Sequence, residues 1–494
     1  MLFILLIGLY TSRVILNVLG VEDFGVYEVV GGVVGMFGIL SASLSTAISR
    51  FITFSLGKND QEESTKIYSS AIVIQVIVAI VIGILIEIIG VWYLYHKMNL
   101  PLGRLDAAFW VLQCTIITFG LGLINVPFEA EIVAHENMKA FAYFSLIEAT
   151  MALVIALLLR VVSADKLIVY AIFNLLACII MRVIFVWYCK KHYAECHFVP
   201  ALDKGLLKEL GSFSGWVLLC EGAWIINNQG VTLLVNSYFG VAMNTARGIA
   251  GRVYNLTNKF SASFTTALSP QITKTYAEGD LKSMHSLIFR GTKISYFLML
   301  LLAIPVLAEA PTILRLWLKI VPENAVLFTR LTVISALIIV LGTPLVKAQL
   351  ATGDIKRYQI VMSLCTIGVF PFTWIAFHLG LPAEWAYHIF NLVYFLILFV
   401  RIYLVKDLIH LPWKSFLTDV YLRILLVSLA AGILPFILCQ LQSESAWRFI
   451  EVMIASVLSV AASVYFIGLN KSEKEIAQDY VRRILGKKEA PQTC

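Results

Sequence analysis

Arg252, Asn255 and Lys259 fall at i, i+3 and i+7, a spacing that puts a guanidinium, an amide and an ammonium on one face of a helix. Arg247 lies a turn and a half before them, and Arg13, Arg50 and Lys347 also sit within apolar runs. A charge at the centre of a bilayer costs about 2.5–3.5 kcal/mol even on a lenient insertion scale, so such groups normally face a wet path. Their acidic counterparts are fewer: Glu87, Glu148 and Glu221, the last followed by Asn227, Asn228 and Gln229. An excess of deep cations suits an anionic ligand, and arginine is the side chain best shaped to hold a phosphate bidentately. Two plainer readings compete. Glu221 could neutralise Arg252 internally. Arg50 and Arg182, nearer span ends, could extend their charged heads to the interface, as Arg330, Arg401 and Arg423 are expected to do.

Other chemistries find no support. The sequence holds no GxxxxGK[ST], HExxH or GxSxG, so no catalytic residue, cofactor or metal ligand is expected. The eight cysteines show neither metal spacing nor a disulfide framework. The net charge of +7 is accounted for by an anionic inner leaflet and calls for no nucleic acid. Glu221, buried in an apolar setting, is the one candidate for coupling to an ion.

The elements that must position these groups follow from composition. Of 494 residues, 60% are hydrophobic and only 14% charged, far from the balance of a soluble domain. Apolar runs of about 20 residues recur along the chain, each long enough to span a bilayer. The pattern predicts an all-α polytopic membrane protein with about 14 transmembrane helices, the first two at 1–19 and 27–54. The first run is read as a retained span, not a removed signal, and the true start is expected slightly upstream. More than half of the 38 lysines and arginines fall in loops and tail on the N-terminal side, which predicts two cytoplasmic termini.

SASLSTAIS (41–49) returns as SASFTTALS (261–269), and AHENMK (134–139) as ATGDIK (351–356). Six spans separate equivalent points, so both copies face the same way. Two parallel six-helix lobes related by a pseudo-twofold axis are expected, plus two C-terminal helices. The boundaries are read as 1–189 for the N-lobe, 190–212 for a cytoplasmic linker and 213–405 for the C-lobe. Spans 13 and 14 occupy 406–469, and 470–494 form a cytoplasmic tail. Ser41, Ser45 and Ser49, like Ser261, Thr265 and Ser269, form small-residue stripes suited to close helix packing in lipid.

TSRVILNVLGVEDFGVYEVVGG (11–32) and NTARGIAGRVYNLTNKFSASFTTALSPQITKTYAEGD (244–280) resemble bacterial polysaccharide flippases of the O-antigen type. These belong to the multidrug/oligosaccharidyl-lipid/polysaccharide exporter superfamily. The resemblance implies translocation of undecaprenyl-pyrophosphate-linked oligosaccharide to the periplasmic leaflet of the inner membrane by alternating access. It implies membrane lipids, a polysaccharide polymerase and chain-length machinery as partners. In the related lipid II flippases the first, second and eighth helices carry essential arginines. Arg13 is similar to the first, Arg50 more loosely to the second, and both Arg247 and Arg252 are candidates for the eighth. The alternative is a cation-coupled multidrug exporter of the same superfamily, in which Glu221 would bind the coupling ion.

Overall fold

The computed structural model describes residues 2–35, 37–58, 60–96, 103–199, 204–239, 241–318, 321–470 and 473–475. Their regular structure is entirely helical. The first half holds α1 (Leu2–Gly35), α2 (Gly38–Gly57), α3 (Gln61–His96), α4 (Leu105–Ala134), α5 (Met138–Leu158) and α6 (Lys166–His192). There follow α7 (Lys204–Phe239), α8 (Val241–Ala277), α9 (Leu281–Trp317), α10 (Ala325–Thr352), α11 (Lys356–Ile367), α12 (Val369–His378) and α13 (Trp385–Leu408). The chain closes with α14 (Trp413–Phe416), which runs through a π-helical turn into α15 (Arg423–Leu441), and α16 (Ala446–Ser463).

Ten helical segments are long and apolar enough to cross a membrane: α3 to α6, α9, α10, the α11–α12 pair, α13, the α14–α15 pair, and α16 with its closing turn. With α1, α2, α7 and α8 the long helices number about 14, as the apolar runs predict. On α3 the reason for burial in lipid is visible residue by residue. Ile77, Ile80, Ile84, Ile88 and Trp92 recur every three or four positions and are all exposed. Ile82, Ile86 and Leu94 on the other side are buried against Val111 and Leu112 of α4 and Val26, Val30 and Val34 of α1. A helix with apolar residues on both faces needs a second apolar phase, and the bilayer supplies it. The protein is a multi-pass integral membrane protein.

The first two helices depart from the predicted limits. α1 does not stop at residue 19 but continues to Gly35, and α2 begins at Gly38, not at 27. What lies near residue 20 is a break inside α1, at Gly20 (φ +79°), a conformation that suits a residue without Cβ. VEDFG looks like a loop because it holds two acids. Asp23, however, is buried and paired at 2.6 Å with Arg104, which also reaches Asp165 at 2.6 Å. With that acid satisfied, Val26, Val30 and Val34 carry the helix onward at a spacing of four.

Contacts divide the chain into two compact units. The first comprises Met1–Ile225, Ser269–Met284 and Gln349–Ser363; the second comprises Ile226–Leu268, His285–Ala348 and Leu364–Cys494. In the first, α4 is the hub, packing on α1, α2, α3, α5 and α6. Of the region read as a linker, 190–192 complete α6 and 204–212 open α7. Between them the chain is docked on α3: Ser69 Oγ donates to the His197 carbonyl at 3.3 Å and accepts from Val199 N–H at 3.0 Å.

In the second unit, α9 bends at Glu309 (φ −110°, ψ 28°), between Pro305 and Pro311. Pro311 has no N–H to offer the carbonyl four residues earlier. Arg330 fills that vacancy, donating from Nε to the Leu307 carbonyl at 3.0 Å and from Nη2 to the Ala308 carbonyl at 3.4 Å. Glu309 itself is fully buried and accepts from Arg448 Nε at 2.8 Å and Nη2 at 3.2 Å. A buried pair is costly to break because the survivor is left as an uncompensated charge. Arg448→Ala is therefore expected to destabilise the second unit by about 3–5 kcal/mol. Arg448→Met combined with Glu309→Leu should cost less than Arg448→Ala alone. Thermal unfolding of the detergent-solubilised variants measures both.

Candidate functional site

Most of the predicted site lies on α1, α2, α7 and α8. α8 runs for 37 residues and presents Arg252 and Asn255, both exposed, one turn apart. Among the described residues neither has a hydrogen-bond or ion-pair partner. Lys259 lies one turn further on, but its side chain, like that of Arg13 on α1, is outside the described residues. Arg247, at the other end of the predicted ladder, is half-buried and engaged: its Nε donates to Thr232 Oγ1 at 3.2 Å, and the guanidinium lies 5.4 Å from the Tyr387 ring centroid. That contact joins α7, α8 and α13 within the second unit. Lys347 on α10 is half-buried and Glu221 on α7 is exposed; each takes part in a further interaction.

Arg50 belongs to a different setting in the first unit. It ends the small-residue stretch of α2, where Ser45 and Ser49 are half-buried. Its guanidinium stands over the rings of Phe51 and Phe54, each at 4.7 Å, and Phe213 at 5.7 Å. Nη2 donates to the Ala351 carbonyl at 3.2 Å, while Nε is buried with no hydrogen-bond partner among the described residues. The side chain lines a cleft of about 360 Å³ with Lys208, Glu209, Phe213, Trp216, Asp354 and Lys356. Lys356 in turn rests its ammonium 5.4 Å from the Trp216 ring. Three cations against two carboxylates, with aromatic walls, make a cleft that favours a singly charged anionic group.

The structure thus brings Arg50 together with Lys208 and Lys356, two lysines the sequence reading had left among the loops. It leaves Arg252 and Asn255 adjacent on their own helix. Arg182, evenly balanced on sequence between two readings, is tied down: it donates to the Ile124 carbonyl at 2.6 Å and stacks 4.1 Å from the Phe128 ring. Two buried ion pairs escaped the sequence altogether, Glu309 with Arg448 and Lys293 with Glu473, the latter at 2.5 Å. Their partners are 139 and 180 positions apart, so local spacing carries no signal. The prolines flanking Glu309 were the only available hint.

The fold and the placement of charge define a multi-pass membrane protein built like the transporters of the MATE type. Residues 2–276 match the polysaccharide biosynthesis protein family and residues 228–375 match MatE. The first match takes in more than half of the sequence, and the chain belongs to the polysaccharide biosynthesis protein family. EpsK of Bacillus subtilis (strain 168), described as an uncharacterized membrane protein, is 20% identical over 321 residues. That alignment covers 63% of this chain and 62% of EpsK, so it spans less than two thirds of the relative. Among solved structures, a MATE protein in its straight conformation superposes with a TM-score of 0.72 at 14% identity, covering 82% of this chain and 92% of the other. An outward-facing multidrug resistance MATE family transporter of the MOP superfamily gives 0.71 at 13% identity, with 83% and 94% covered. A MOP superfamily transporter from Pyrococcus furiosus, described as having a binding pocket of reverse polarity, gives 0.69 at 13%, with 84% and 94% covered. These likenesses establish the fold.

Gly353 allows a direct test of the Arg50 cleft. It sits at φ +79°, and a Cβ there would lie 2.6 Å from Arg50 Nη2. Gly353→Ala is expected to displace the guanidinium and lower stability by roughly 1–2 kcal/mol, the usual cost of a left-handed L-residue. Gly248→Ala on α8, where a Cβ meets nothing within 4 Å, should be neutral or stabilising. The two unfolding midpoints, compared with that of the parent protein, give the answer.

Proposed function

We propose that this chain is a flippase that moves undecaprenyl-pyrophosphate-linked oligosaccharide from the cytoplasmic to the periplasmic leaflet of the bacterial inner membrane. It would do so by alternating access, with both termini in the cytoplasm, in the service of polysaccharide or O-antigen export. The observation that carries the reading is the exposed Arg252, unpartnered among the described residues, with Asn255 beside it on a helix of 37 residues, long enough to cross the bilayer. A guanidinium within a membrane is tolerated where it meets water or an anion. Membership of the polysaccharide biosynthesis protein family supports a saccharide cargo.

In this reading Arg252 and Asn255 hold the pyrophosphate, Lys259 and Arg247 extend the basic face of α8, Lys347 adds a further cation of the second unit, and Arg13 is a candidate contact of the first unit. The cleft around Arg50, Lys208 and Lys356 is a separate, weaker anion site in the first unit. Nothing in the proposal requires a reaction. The work of the protein is to substitute for headgroup hydration while the prenyl tail stays in lipid. Membrane lipids, the polysaccharide polymerase and the chain-length machinery are its proposed partners.

The test follows the leaflet distribution of the lipid-linked oligosaccharide in cells lacking the protein. Cytoplasmic accumulation relieved by the parent protein is expected. Arg252→Ala should reduce that relief at least tenfold, and Asn255→Ala by less, at equal membrane levels. A charge-conserving Arg252→Lys should retain part of it. An unchanged lipid distribution combined with greater sensitivity to cationic drugs would replace the flippase by the multidrug exporter and move attention to Glu221.

A further inference from the structure

Glu131, His135 and Glu195 stand together in the first unit, and none of them is among the residues assigned to the cargo. Glu131 and His135 are one turn apart at the end of α4, and Glu195 comes from the segment that follows α6. One oxygen or nitrogen from each lies within 4.8 Å of the other two. Glu131 is fully buried, and neither of its carboxylate oxygens has a hydrogen-bond partner among the described residues. The nearest basic atom, His135 Nε2, is 3.8 Å from Glu131 Oε2, and the same nitrogen contacts Glu195 Oε1.

A buried carboxylate with both oxygens unsatisfied is among the costlier features a fold can carry. A proton shared between Glu131 and the Glu195 carboxylate would satisfy one oxygen of Glu131 and leave the other without a partner. A single imidazole does not answer it either, since two carboxylates converge on it. A dication does. Two carboxylates and a neutral imidazole around M²⁺ form a set of zero net charge, and every oxygen that points inward gains a partner.

We infer that Glu131, His135 and Glu195 form a binding site for a divalent transition-metal ion, with Zn²⁺ the best match. Zinc accepts this mixture of one nitrogen and two oxygen ligands, at about 2.0–2.2 Å. Tetrahedral ligands at that distance are about 3.4 Å apart, which small side-chain rotations reach from the present spacing. Two protein elements supply three ligands, leaving the fourth position for water. The His135 ring is already oriented, stacked on Tyr193 with centroids 4.3 Å apart and planes at 11°. Fixing the ligand ring in this way is what a supporting shell does for a metal site. The His135 side chain is 29% exposed, which gives an ion a way in.

The consequence is structural. Bound metal would tie residues 193–199, the start of the passage from α6 to α7, to the end of α4. Ser69 already holds the far end of that passage through His197 and Val199. Local spacing carries no signal of the site, because the pair spaced i, i+4 finds its third ligand 60 positions away.

The test uses the full chain, purified in detergent without a histidine tag and stripped with a chelator. Zn²⁺ is titrated by calorimetry, and the bound metal is counted by elemental analysis after desalting. One equivalent per chain is expected, with a rise in the unfolding temperature. His135→Ala and Glu195→Gln should each weaken binding at least tenfold, and Glu131→Gln should do the same. Glu195→Gln, on a segment outside the helices, guards against a variant that fails to fold; each variant must elute as the parent does. Absence of stoichiometric binding, or binding undiminished in the folded variants, would overturn the assignment.

Discussion

A charged group buried between these helices must be satisfied without bulk water, and the solution found for each one shapes the local structure around it. Arg182 takes a backbone carbonyl and an aromatic face on α4. Arg330 takes the Leu307 carbonyl released by Pro311, and that of Ala308 beside it, at the bend in α9. Arg448 neutralises Glu309 at that bend, and Lys293 holds Glu473 beyond the last helix. Arg104 joins Asp23 and Asp165, tying α1 to the start of α6. Against this background Arg252 and Asn255 differ in kind. They are exposed, on a helix, and unpartnered among the described residues, and that contrast makes them the candidate cargo contacts.

The helices were legible in the sequence because a 20-residue apolar run has few other meanings. The break at Gly20 falls where the predicted first span ends, but the helix resumes at once and runs to Gly35, for a physical reason. Local composition marks Glu22, Asp23 and Gly25 as a loop, whereas the fate of Asp23 depends on Arg104, 81 positions away. The same limit hid the two buried ion pairs. A charge reads as expensive from sequence, but only the fold reveals what it meets.

The candidate site was legible in part. Type and spacing singled out α8, and the structure distinguishes Arg247, engaged with Thr232 and Tyr387, from Arg252, which is exposed. Arg50 was found for its place in an apolar run, but its neighbours Lys208 and Lys356 were not, since they reach its cleft from the first turns of α7 and α11.

The central claim is that an anionic headgroup crosses along the basic face of α8, where Arg252 has no acidic partner among the described residues. Such a group carries its charge through the membrane potential, and the gain is about 2.3 kcal/mol per charge per 100 mV. The measurement is the rate of transfer of a fluorescent prenyl-pyrophosphate oligosaccharide across proteoliposome membranes under an imposed potassium diffusion potential. The account predicts that transfer from the negative to the positive side accelerates as the potential grows and slows when its sign is reversed. A rate indifferent to the size and sign of the potential would contradict it.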